Sequence, residues 1–376
     1  MKMIFRILLL AAVMDLHIQA ECGVPVAPRI PLETSTDRVV VELGPCRTIL
    51  SQGQLGLEYF PDETIVVLQR SPARLLFAAG VSSYLVEGPE MASLNSARKV
   101  LTPGPKGAFD NGYAGIAAAD WDIAGEVRAF YHAEDHEDMP RFESGIPGFY
   151  ASIALAVSHD RGLTFRKIGP VITGQLPKDL GARSDQGVGD LWVTRKEDNR
   201  YLYCYYSDHS RIDRRGVQIC LARSAVQDRG MPGTWTKYFE GSFGQPGLGG
   251  KDTPVMSMNA EQGDAMFPHV TYSRVLGQYL MLFNVVAYRE LNQPMPNKTG
   301  MYIAFSSDGI RWSTPAQILR AWSVPRPDDE IAWHPTLVWD DKTLTGWLYY
   351  SYSPHWGHGE GRASHYLVGR PFKLSR

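Results

Sequence analysis

Beyond its first twenty residues the chain has no apolar run approaching the roughly 18 residues that a membrane-crossing helix needs, so no membrane span is expected. An excess of one charge is also lacking. The 38 Lys and Arg stand against 40 Asp and Glu with no lysine-rich run, which leaves nothing of the basic stripe a nucleic-acid binder carries. Four cysteines are too few for a disulfide scaffold. No Walker loop, G-x-S-x-G or Cys-x-x-Cys is present, and "GQPGLGG" at Gly244 opens no helical pattern. Helical periodicity is nearly absent after the leader.

The leader itself is informative. Lys2 and Arg6 precede the apolar run from Ile7 to Val13, and "HIQA" ends on a small residue before Glu21, the pattern of a cleaved secretory signal over residues 1–20. The mature chain, 21–376, is expected to be secreted or periplasmic. In an oxidising compartment Cys22 and Cys46 would staple the N-terminal segment, worth about 3 kcal/mol for a loop of that length. Cys204 and Cys220 fall on neighbouring predicted strands and fit either a disulfide or two buried thiols.

What recurs is short runs rich in Val, Ile, Tyr, Phe and Trp between glycine, proline and aspartate clusters, which makes the class all-β. One four-strand unit reads "DLWVTRK", "RYLYCYYSD", "GVQICLARS", "TWTKYFEG". The same order returns from Phe267, from Ala114 and from Trp333, with a weaker first copy in "TIVVLQR", "ARLLFAAG" and "SSYLVEG". Five four-stranded antiparallel units, each needing neighbours to cover its faces, predict a single five-bladed β-propeller over 21–376, with residues 21–55 closing or stapling it. "SHDRGLTF" and "SSDGIRW" link third to fourth strands, where Asp160 and Asp308 accept backbone N–H bonds across the turn, so both are read as structural.

The loops leaving second strands are the long ones, "YHAEDHEDMPRFESG", "SDHSRIDRRG", "AYRELNQPMPNKTG" and "SPHWGHGEGRAS", which marks one face for binding. Three similar stretches, "FDNGYAGI", "SDQGVGDL" and "AEQGDAMF", place Asp110, Asp185 and Glu261 at spacings of 75 and 76 residues on that face, just ahead of innermost strands. Carboxyls converging from consecutive blades suit glycosidic cleavage, which needs one protonated group for the departing oxygen and one ionised group to activate water or attack carbon. Asp190 and Asp264 are alternates beside Asp185 and Glu261, and Glu330 enters the last blade on the same face. Glu87 in "VEGPEM" does not precede an inner strand and is set aside. Tyr131, Tyr206, Tyr288 and Trp356 offer rings to a sugar face, with His132, His209 and Arg289 as polar contacts. A zinc centre in "HAEDHED" lacks the helix that would set His132 and His136 on one side.

With "SSDGIRW", "DLWV" and "WHP", the chain resembles the five-bladed propeller glycosidases of glycoside hydrolase families 43, 62, 32, 68 and their relatives. That resemblance implies an Asp, Asp, Glu triad at three blade entries, with Asp110 as base or nucleophile, Asp185 as transition-state stabiliser and Glu261 as general acid. It also implies an axial cation, usually calcium, near His334, and no other cofactor. In the family the first catalytic blade is usually the one nearest the N-terminus, whereas here a whole candidate blade precedes Asp110. The expected partner is a furanose- or pyranose-containing glycan. Two other classes remain: a non-catalytic propeller that binds carbohydrate or protein, and a sialidase-like enzyme, which would need an arginine triad, a nucleophilic tyrosine and usually six blades.

Overall fold

The computed structural model describes residues 29–33, 38–122, 125–141, 148–182, 185–195, 199–210, 216–258, 263–287, 298–320, 331–354 and 365–375. Three short N-terminal strands, β1 (Ile30–Glu33), β2 (Arg38–Leu43) and β3 (Arg47–Leu50), precede a series of antiparallel meanders. The first is β4 (Val66–Arg70), β5 (Ala73–Ala79), β6 (Ser82–Gly88) and β7 (Ser96–Leu101). The second is β8 (Tyr113–Trp121), β9 (Val127–Asp135), β10 (Tyr150–Ser158) and β11 (Arg166–Thr173). The third is β12 (Gln186–Arg195), β13 (Tyr201–Asp208), β14 (Gln218–Ala225) and β15 (Thr236–Phe239), extended by β16 (Ser242–Pro246). The fourth is β17 (Gly263–Ser273), β18 (Gln278–Ala287), β19 (Gly300–Ser306) and β20 (Ala316–Arg320). The last has three strands, β21 (Ile331–Asp340), β22 (Thr345–Ser353) and β23 (Tyr366–Ser375). The all-β class and the antiparallel four-stranded sheets expected from the strand pattern are present.

The outer edge of β23 is covered from the other end of the chain. Residues 40–43 of β2 pair with 372–375, and Arg47 to Leu50 of β3 pair with 367–369. An exposed sheet edge is thereby removed by main-chain hydrogen bonding. Cys46, between these two strands, is disulfide-bonded, whereas Cys204 and Cys220 are buried thiols. Cys22 lies outside the described residues.

Each meander buries one face against the next. Leu76 and Leu85 pack with Ile116 and Tyr131, and Phe130 and Leu155 with Leu191 and Trp235. Tyr205 and Ile219 pack with Val270 and Phe283, and Leu282 and Ile303 with Leu348 and Phe372. Tyr349 and Leu367 of the last meander then meet Leu75 and Phe77 of the first, so the series closes on itself in the manner of a propeller. A short parallel contact, Tyr150–Gln186 and Ala151–Gly187, additionally joins the second and third. There the backbones nearly touch: a Cβ on Gly187, whose φ is 81°, would lie 2.1 Å from the Ala151 carbonyl oxygen.

The turns at Asp160 and Asp308 are as expected. Asp160 Oδ1 accepts the Leu163 and Thr164 N–H groups at 3.0 and 2.9 Å, and Asp308 Oδ1 those of Ile310 and Arg311, both at 2.8 Å. No helix among the described residues is long and apolar enough to cross a membrane.

One feature of the first strands was not visible in the sequence pattern. In β4, β8, β12, β17 and β21 the pairing register slips once, at 67/69, 116/118, 189/191, 266/269 and 333/336. Such bulges re-aim side chains that strict alternation would send elsewhere. Asp190, Phe267 and His334 sit at three of them with φ of 44°, 57° and 56°, a conformation non-glycine residues rarely adopt.

Candidate active site

The first strands of all the meanders, with the segments entering them, wall a cavity of about 690 Å³ at one end of the molecule. Its charged lining is Asp62 and Glu63 ahead of β4, His132 and Glu134 at the end of β9, His136, Asp185 and Asp190 on the third meander, His209, Asp264 on β17, and His334 on β21. Tyr59, Tyr113, Phe149, Phe267 and Trp333 supply ring surface. No Lys or Arg lines the cavity among the described residues. The same strands wall a second cavity of about 670 Å³ at their opposite ends.

The floor is a buried cluster. His132 Nδ1 lies 2.8 Å from Glu63 Oε1 and 3.2 Å from Asp190 Oδ1, and the Asp190 N–H also points at it, at 3.4 Å. His209 Nε2 holds the other Asp190 oxygen at 3.1 Å. Burial would raise the Asp190 pKa, but its bonds to His132 and His209 outweigh that and hold it well below the ordinary carboxylate range. Burial pushes Glu63 the other way, well above its usual value, against the opposing pull of His132. Burial depresses His132, yet the carboxylates of Asp190 and Glu63 override it and raise this pKa. On the wall above, burial raises Asp62, reinforced by the like charges of Glu63 and Glu134. Glu134 Oε2 meets His136 Nε2 at 2.5 Å. Burial pushes His334 down to about 3, so its ring is neutral at physiological pH, and its Nδ1 has no hydrogen-bond partner among the described residues.

The sequence-derived residues divide. Asp185, Asp190, Asp264, His132, His209 and His334 line the cavity. Asp110 does not. Its carboxylate is buried between the Tyr131 hydroxyl, which donates at 3.0 Å, and Lys167, with which it forms a close ion pair. The 75-residue spacing misled here because Asp110 stands three residues before β8, whereas Asp185 directly abuts β12. Tyr131 and Tyr206 are core residues rather than sugar contacts. Both are fully buried, and the Tyr206 hydroxyl donates to Asp252 at 2.9 Å. Glu261, Glu330, Tyr288, Arg289 and Trp356 lie outside the described residues. Glu87 is paired with Arg74 at 2.7 Å on the third strand of its meander, away from the cavity.

Asp62 and Glu63 were missed, although a signal existed: "PDETIVV" sets two acids immediately before the inner strand of the first meander, the place the family resemblance pointed to. Tyr113, whose hydroxyl donates to the Asp62 carbonyl at 2.9 Å, and Glu134 were missed as well.

Asp208, beside the site, gives a prediction of its own. Burial and then Asp252 raise its pKa to about 6 from the model-peptide 3.8, so the folded state binds the proton more tightly than the unfolded chain. Stability from this group is complete below about pH 4, is lost as pH rises through 6, and stays lost above it. At about 1.4 kcal/mol per unit the penalty at pH 8 approaches 3 kcal/mol. Asp208→Asn keeps an oxygen for the Ser210 N–H, which Asp208 accepts at 2.8 Å. Differential scanning calorimetry should show this variant melting several degrees above the parent at pH 8 and level with it at pH 4.5; equal melting at both values would refute the shift.

No family model matches the chain, and no curated protein matches it by sequence. Its fold nevertheless has known counterparts, for it is the propeller-like fold of glycosidases. An α-L-arabinofuranosidase from Lactobacillus brevis superimposes with a TM-score of 0.55 at 10% identity, over 86% of this chain and 94% of that one. A structure described as a glycoside hydrolase gives 0.51 at 14% identity, over 88% and 92%. An N-acetylgalactosamine deacetylase from F. plautii, solved with blood group B trisaccharide, gives 0.50 at 12% identity, over 88% and 95%. At these identities what is shared is the fold.

Proposed function

We propose that the protein is a secreted glycoside hydrolase on a five-bladed propeller, cleaving a furanose- or pyranose-containing glycan in the 690 Å³ cavity. The observation that carries this reading is the meeting of carboxylates from separate meanders in one hollow with aromatic surface. The likeness to an arabinofuranosidase and to a second glycoside hydrolase supports it. The inner strands of five meanders lining both cavities, and the packing that returns the last to the first, support the reading of five blades. The leader and the disulfide at Cys46 support export.

Glu63 and Asp190 are not the pair that straddles a sugar. Both are committed to the same nitrogen of His132, so the space between them holds an imidazole ring. The pair comes from different walls. Asp62, crowded by Glu63 and Glu134, gives its proton to the departing glycosidic oxygen. Asp264, fixed by the Val217 N–H at 2.6 Å, acts as the carboxylate that activates water or attacks the anomeric carbon. Phe267 and Trp333, whose ring centroids lie 5.6 Å apart, cover the apolar face of the sugar. Asp185 borders the same space from the third meander.

The test is release of reducing sugar from arabinans, xylans, galactans and fructans, repeated with Asp62→Asn. Cleavage by the parent and its loss in that variant are expected. Binding of a glycan without cleavage would make the protein a carbohydrate-binding propeller instead.

A further inference from the structure

Three ligand atoms on the cavity floor, His132 Nδ1, one Glu63 oxygen and one Asp190 oxygen, all lie within 4.8 Å of one another and are buried. One imidazole nitrogen carries one proton or one lone pair. With a proton it can serve only one of the two carboxyl oxygens well; without one it accepts the Asp190 N–H, at 3.4 Å, but faces any ionised carboxylate oxygen as a repelling lone pair.

We infer that Glu63, His132 and Asp190 form a binding site for a divalent cation of the manganese or zinc class. Metal–ligand bonds of about 2.1 Å put neighbouring ligand atoms about 3.0 Å apart in an octahedral set and about 3.4 Å in a tetrahedral one. The 2.8 and 3.2 Å separations around His132 Nδ1 are such edges. Surrounding contacts are those of a supported site. His209 steadies the outer oxygen of Asp190, and Glu134 stands 3.6 Å from the other ring nitrogen of His132. His334, 4% exposed and on the same cavity wall, also keeps a ring nitrogen, Nδ1, with no hydrogen-bond partner among the described residues. Mixed nitrogen and oxygen donors favour manganese or zinc over calcium, which takes six to eight oxygens. Three protein ligands leave positions for oxygens from the cavity, as in catalytic rather than structural sites. Occupancy of this site does not depend on the hydrolase reading.

Protein stripped with EDTA and titrated with Mn²⁺ or Zn²⁺ in a calorimeter should bind one ion per chain. Glu63→Gln and Asp190→Asn should each weaken binding about 100-fold or more, and His209→Ala about tenfold. Absence of binding by the parent, or binding that both carboxylate variants leave unchanged, overturns the proposal. Should those variants fail to fold, crystals of the unaltered protein soaked in Mn²⁺ decide the matter. An anomalous peak at bonding distance from His132 Nδ1 supports the site, and a peak only elsewhere overturns it. No substrate enters these measurements, so an ion bound at the floor of a protein that cleaves no glycan leaves this site standing while the hydrolase reading falls.

Discussion

Asp264→Asn should lower turnover on whichever glycan the parent cleaves by about 10² to 10⁴, the usual worth of a carboxylate acting in the transition state. Its melting temperature should barely move. An asparagine oxygen can still accept the Val217 N–H that Asp264 now holds at 2.6 Å, so that anchor survives the loss of the negative charge. Asp110→Asn makes the opposite pair of predictions. Its carboxylate touches Lys167 and Tyr131 and is absent from the cavity wall, so turnover should stay near the parent value. Breaking a buried pair typically costs about 3–5 kcal/mol. Lys167 is 29% exposed and can partly rehydrate, which puts the expected loss at or below the lower end of that range. Turnover and calorimetric melting of both variants separate the roles. Full activity in Asp264→Asn would remove this residue from the mechanism, and a dead but normally stable Asp110→Asn would return catalysis to the place the sequence spacing suggested.

The contrast between these two aspartates shows what the sequence made legible. Strand runs such as "RYLYCYYSD" and "QYLMLFNVV" appear as β13 and β18 because alternation and turn residues are local properties of the chain. The aspartate turns were legible for the same reason, since among the described residues Asp160 and Asp308 bond only within four positions of themselves. The site was legible as a face, through the long loops after second strands, but only partly as residues. Whether an acid ahead of a strand reaches the cavity depends on its offset from the strand and on what stands opposite. Lys167, 57 residues further on, captures Asp110, and nothing in "FDNGYAGI" signals it. The bulges had no sequence signature either. Asp190 and His334 adopt positive φ without being glycine or asparagine, so the register slips that place them on the cavity could not be read from alternation. Tyr131 and Tyr206 mark the same limit. A tyrosine within a strand looks identical on paper whether it faces solvent or the neighbouring sheet.

Removing residues 1–50 should abolish cooperative unfolding, even though every cavity-lining residue named above is retained. The deleted segment contains β2 and β3, which supply the pairing along the outer edge of β23. It also contains Val39, Val41, Leu43 and Leu50, all buried, with Leu50 in the cluster joining the last meander to the first. At about 2 kcal/mol for each buried aliphatic side chain, these four account for about 8 kcal/mol before any main-chain hydrogen bond is considered. That equals a typical whole-domain stability of about 5–15 kcal/mol, so little would remain. The exposed edge of β23 would also present unpaired N–H and C=O groups beside newly uncovered Val368, Phe372 and Leu374, a combination that favours aggregation. Removing only residues 1–28 keeps β1 to β3 but takes Cys22, the expected partner of Cys46, so it should leave a cooperative melt lowered by about the 3 kcal/mol of that staple. Thermal melts of the two truncations decide the point. A chain starting at residue 51 that melts sharply within about ten degrees of the longer one would mean that the sheet closes without its N-terminal strands.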